Sequence, residues 1–177
     1  MADHTAAGLR TAIKSLKDVV APAIDQANPL AGEQLRMVCA YLALVAEQLP
    51  HRAARIRFEL RSATRLADSL VPLAVACPAR AREALDAALA TARRLQAAVD
   101  ADELEIEHAT SGLNAAISTI VRTAGAADDA TRREIERAVV FDSKALLDAH
   151  RTWYAPLGFE SKSEQLPSLA AALAAAR

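Results

Sequence analysis

The feature that most narrows what this chain can fold into is the spacing of its apolar side chains. They recur every three to four residues from Leu9 to Leu173, and no strand-like alternation outlasts Leu104-Glu-Ile-Glu. A period of 3.6 puts such residues along one side of a helix. About a quarter of the 177 residues are alanine, the strongest helix former, against 5 glycines. The fold class expected is therefore all-α: an antiparallel up-and-down bundle of five to six long helices plus a short C-terminal helix. Residues 1–155 form the bundle, and 156–177 form a C-terminal arm of the same domain.

The end signals divide the chain. A first helix covers 5–27 on a stripe of Leu9, Ile13, Leu16, Val20 and Ile24, with Pro22 predicting a kink or an early end near Ala21. Asn28-Pro29 reads as N-cap and first-turn proline of a second helix reaching Leu49. That helix is apolar nearly all round: Leu35, Val38, Cys39, Leu42, Val45 and Leu49 occupy one side, and Met37, Tyr41 and Leu44 much of the other. It is therefore expected to be the central, buried helix.

A third helix opens at Pro50 or His51 and ends near Pro72, and a fourth runs from Pro78 to Val99. Ala84, Ala87, Ala88 and Ala98 on the flanks of the fourth would admit a close neighbour. Asp102 and Glu105 have capping-box spacing at the start of a fifth helix, which Gly125 follows. Thr131 and Glu134 repeat that spacing in a sixth helix, which begins at Asp129 or Thr131 and ends at Trp153. Tyr154-Ala-Pro-Leu-Gly-Phe breaks the pattern before a short Ala/Leu helix from about Ser163.

Charge and cysteine usage exclude several functions. The net charge is −1, which gives no case for nucleic acid or an anionic membrane. Arginine far outnumbers lysine, as a GC-rich coding sequence produces. Cys39 and Cys77 form no CxxC or Cys/His cluster, so neither a disulfide framework nor a zinc site is expected. The opening residues, with Asp3, His4, Arg10, Lys14, Lys17 and Asp18, lack a signal-peptide core, and no apolar run is long enough to span a bilayer. A soluble, cytoplasmic protein of bacterial type is expected.

Three polar constellations stand out. Glu105-Ile-Glu-His108 has the Glu-x-x-His spacing of di-iron bundles. His150 has Leu147 three residues before it and cannot complete the set, so no metal is expected. Arg57, Arg61 and Arg65 recur every fourth residue opposite the core stripe of the third helix. They lie in a segment, 50–94, with nine Arg against four Asp/Glu. Such a row suits an anion or an acidic partner, or else is a solvated face or pairs with the acidic 95–148 segment.

Asp142 is the sharpest anomaly, because it falls near the centre of the apolar stripe of Ile135, Ala138, Val139, Leu146, Ala149 and Trp153. A buried carboxylate needs a partner, and an arginine or Tyr41 is the natural donor. Asp142 with His150, Trp153, Tyr154 and Tyr41 is the candidate ligand site. No phosphate loop, GxSxG or HExxH occurs, and no cofactor is implied. Two functions follow. The first is a non-catalytic interaction or accessory module with a protein partner, or a homodimer joined by the leucines of the C-terminal arm. The second is a binder or enzyme for a small ligand, anionic or acyl in type, in an apolar pocket at Asp142.

Overall fold

The computed structural model describes residues 4–126, 128–158 and 160–174, with no side chain for Ala126. Asp3, Phe159 and Arg177 of the sequence reading lie outside them. The described chain is all-α, a helical bundle with no strand. Its helices are α1 (Thr5–Ser15), α2 (Ala21–Ala23), α3 (Pro29–Gln48), α4 (Arg52–Leu70), α5 (Ala79–Ala97), α6 (Glu103–Thr123), α7 (Asp129–Tyr154) and α8 (Leu169–Ala174). None of these helices is long and apolar enough to cross a membrane.

The contacts group the chain into two compact units. One comprises residues 1–52 and 153–165, the other 53–152 and 166–177. In the first unit α1 packs on α3. Between α1 and α2 the chain makes a π-helical turn, Leu16–Val20, and helical geometry stops at Ile24, whose backbone is extended. Pro22 accounts for this. It has no N–H to donate to the carbonyl four residues back, and its ring crowds that carbonyl, so the ladder widens before it ends.

Asn28 then caps α3, its Oδ1 accepting from the Ala31 amide at 3.2 Å with Pro29 in the first turn. The 3₁₀ turn Ala155–Leu157 packs on α3, and Gln48 Nε2 donates to the Trp153 carbonyl at 2.8 Å. Gly158 ends that turn in the left-handed region, φ 81°, which a side chain would strain.

The second unit holds the larger core. Ile56, Leu60, Ala63, Ala67 and Leu70 of α4 meet Leu85, Leu89, Ala92 and Leu95 of α5. Ile106, Leu113, Ile117 and Ile120 of α6 and Ile135 of α7 complete the cluster. The short 98–102 connection makes α5 and α6 a helical hairpin. Of the flanking alanines expected to admit a neighbour, Ala84 and Ala87 are exposed, while Ala88 and Ala98 are half-buried and Ala88 packs against the core.

One expectation is overturned. The most deeply buried helix is α4, with Phe58 fully enclosed on the side away from the Leu60 stripe. The second helix of the sequence reading, α3, buries only Cys39, Leu44 and Ala46, while Leu30, Met37, Val38 and Tyr41 are exposed. Apolar residues on two sides require two covering layers, and α1 and the 155–157 turn cover only part of α3.

A second correction concerns the start of α7. The cap is Asp128 rather than the Thr131–Glu134 pair. Asp128 Oδ1 accepts from the Ala130 and Thr131 amides, both at 3.0 Å, and Oδ2 from the Thr131 hydroxyl at 2.7 Å. The Thr131 backbone bond, then its hydroxyl, hold the Asp128 carboxyl below its ordinary value of 3.8. A lowered pKa means that the cap stabilises the fold above the ordinary carboxylate value and is lost as pH falls through the lowered one. Asp128→Ala should therefore lower the melting temperature at pH 7 and expose the Ala130 and Thr131 amides to exchange. The difference from wild type should vanish at strongly acid pH; a difference constant with pH would contradict the cap.

Candidate functional site

The arginines of α4 define the polar architecture of the second unit. Arg57 Nη2 donates to the Val99 carbonyl at 2.8 Å and Nη1 to that of Ala98 at 3.4 Å. Both carbonyls lie just past the end of α5, where backbone acceptors lack helical donors and carry the negative end of the dipole. Arg61 Nη2 reaches the Leu173 carbonyl, in the last turn of α8, at 3.3 Å. Arg65 Nη2 lies 3.4 Å from the Asp142 carbonyl, and its Nε 3.4 Å from Asp142 Oδ1. Side chains four residues apart on α4 thus reach α5, α8 and α7 in turn. The row that the sequence reading offers to an external anion has internal acceptors at every position.

Asp142 is 7% exposed, and its partner is an arginine, one of the two donors the sequence suggested. Tyr41, the other, is 60% exposed on α3. The Arg65–Asp142 pair is a loose one. At 3.4 Å the buried Nε makes an ion-pair contact without hydrogen-bond geometry. No hydrogen bond to the Asp142 carboxylate is formed among the described residues.

This carboxylate lines a groove of about 460 Å³ with Arg65, Phe141, Lys144 and Asp148, walled by Ala145, Ala149, Ala171 and Ala172. Two cations and two carboxylates balance, so the groove has no preference for an anion.

The other proposed site residues have separate roles. His150 Nε2 lies 3.4 Å from Glu59 Oε1, the oxygen that also accepts from Arg55 Nε at 2.7 Å. The sequence reading missed Glu59 because nothing marks it among charged residues on a mixed face. Trp153 is buried and Tyr154 exposed at the end of α7, in the first unit. Glu105 and His108 are both exposed, and no group of three metal-capable side chains occurs among the described residues.

The buried hydroxyl of Thr64 joins two helices. Thr64 donates to the Leu60 carbonyl at 2.8 Å and accepts from Gln96 Nε2 at 2.7 Å, linking α4 to α5.

Fold and site together describe an all-α bundle tied by arginine contacts from one helix. In comparisons with protein-family models, with curated proteins and with solved structures, nothing matches this chain.

The pair predicts an asymmetry. Arg65→Met leaves a buried carboxylate without its counter-ion and should cost about 2 kcal/mol. Asp142→Leu leaves an arginine whose side chain is 42% exposed and can turn to water, and should stay within about 1 kcal/mol of wild type. The double variant should recover most of the Arg65→Met loss in urea unfolding. Additive losses would show that the pair is not coupled.

Proposed function

We propose that the protein is a non-catalytic interaction module that works as a homodimer joined through α3. The carrying observation is the open apolar stripe on that helix. Met37 and Tyr41 are each 60% exposed, with Leu30 and Val38 also open to solvent. Methionine adapts to an uneven partner surface, and tyrosine is enriched at interfaces.

Two arguments favour a second copy as the occupant. Met37, Val38 and Tyr41 cluster at the middle of a helix running from Pro29 to Gln48, so a copy crossing there about a two-fold axis would cover the patch on both subunits. The stripe itself is uncharged, so it carries no electrostatic demand for a different, complementary partner. The arginine contacts of the second unit support the same reading, since its conspicuous cations already meet internal acceptors.

Sedimentation equilibrium from low to high micromolar concentration tests this. Wild type should pass from monomer to dimer, and Met37→Glu/Tyr41→Glu should remain monomeric with an unchanged helical circular-dichroism spectrum. A wild type that stays monomeric throughout, or a double variant that dimerises equally, overturns the homodimer.

The groove at Asp142 supports a second reading, a small-molecule ligand bound there. The observation favouring it is a nearly buried carboxylate with spare acceptor capacity facing a space in the usual size range of ligand pockets. Such a ligand would carry a hydrogen-bond donor. A stabilising compound from a thermal-shift screen should lose its effect on Asp142→Leu; retention of the full shift removes this reading.

A further inference from the structure

The cavity of about 580 Å³ in the first unit has a different chemistry from the Asp142 groove. Ile24, Leu35, Cys39, Ala40 and Ala43 form its apolar wall, and Lys17 and Arg36 are its charged lining residues. Cys39 is buried, and Leu35, Ile24 and Ala43 are half-buried, so these residues make the floor. Lys17 and Arg36 are both exposed, which places the cations at the rim.

No carboxylate lines the cavity. Asp18, the nearest acidic residue in sequence to Lys17, is paired with Lys14 one turn earlier. Lys17 and Arg36 make no hydrogen bond or ion pair among the described residues, in contrast to Arg57, Arg61 and Arg65.

Two features of the backbone build the space. Lys17 belongs to the π-helical turn that precedes Pro22, and such turns displace a helix wall by one residue and recur at functional sites. Gly32 lines the cavity one turn before Arg36, and a Cβ placed there would lie 3.8 Å from Arg36 Nη1, so the guanidinium lies close over the glycine.

The geometry points to a binding site for a small amphipathic anion, a medium-chain aliphatic carboxylate, with its head on Lys17 and Arg36 and its tail on the Ile24–Leu35–Cys39–Ala43 floor. An apolar floor with paired cations at the mouth selects both ends of such a molecule. The tail gains by leaving water, in proportion to the apolar area it buries on the floor. The head meets charge-assisted donors, of which arginine offers a planar fork. The site lies on the side of α3 facing α1, whereas Leu30, Met37 and Tyr41 project from the other side of the helix; it therefore does not depend on the proposed dimer.

Isothermal titration of the full chain with decanoate at pH 7.5, below its micelle concentration, tests the assignment. Decanol supplies the tail without the charge, and acetate the charge without the tail. Wild type should bind one decanoate per chain at submillimolar concentration, at least tenfold more tightly than decanol, with no detectable acetate binding. Lys17→Met/Arg36→Met keeps the helix-forming stems and should lose at least tenfold in decanoate affinity while its decanol affinity stays unchanged. Because both side chains are exposed, this variant should retain the wild-type melting temperature. Absence of decanoate binding to wild type, or equal decanoate affinity in the double variant, overturns the proposal. Equal affinity for decanoate and decanol in wild type does so as well, since it reduces the cavity to an adsorbing apolar surface.

Discussion

The second unit depends on the burial of α4 around most of its circumference. Ile56, Leu60, Ala63, Ala67 and Leu70 face the α5 and α6 side of the core, while Phe58 is fully enclosed on another face. A helix so surrounded has little room for solvated charge, yet α4 carries Arg57, Arg61 and Arg65. The conflict is resolved by length. Their aliphatic stems lie along packed surface, and the guanidinium groups reach carbonyls at the ends of α5 and α8 and the carboxylate of α7. The carbonyls of Ala98, Val99, Leu173 and Asp142 are thereby engaged by one helix, which ties its neighbours to it.

Much of this was legible in the residues, and the failures are informative. Asn28-Pro29 and Asp102 announce helix starts because their side chains satisfy local amide donors, a relation confined to three or four residues. Asp142 was legible as a buried carboxylate because a helical wheel places it among Ile135, Ala149 and Trp153. That arginine was its partner followed from charge; that the arginine was Arg65 did not, since the choice among seventeen is made by tertiary geometry. The role of the row was illegible for a related reason. An i, i+4 arginine row looks the same whether it faces water or backbone carbonyls, and carbonyls have no sequence signature.

The misreading of α3 has another origin. Hydropathy reports which sides of a helix prefer to leave water, not whether the chain supplies something to cover them. Met37, Val38 and Tyr41 read as core and stand exposed, so the mismatch marks an apolar surface that the described residues leave uncovered. At α7, Thr131 and Glu134 had the spacing of a capping box, but Asp128 lies three residues ahead and offers a charged acceptor to two amides. The stronger local acceptor displaced the weaker motif. The π-helical turn went unseen for want of a marker beyond Pro22, which the sequence showed only as a helix breaker.

In the second unit α4 is the helix on which the core is built, whereas α3 in the first unit leaves one side open to solvent. Native-state hydrogen exchange resolved by residue tests this most directly. Amides of Ile56 to Leu70 should exchange only through global unfolding, with the highest protection in the chain, while those of the first half of α3 should exchange through smaller local openings. Protection in Leu30 to Tyr41 equal to or above that of α4, measured at a concentration where the chain is monomeric, would contradict it.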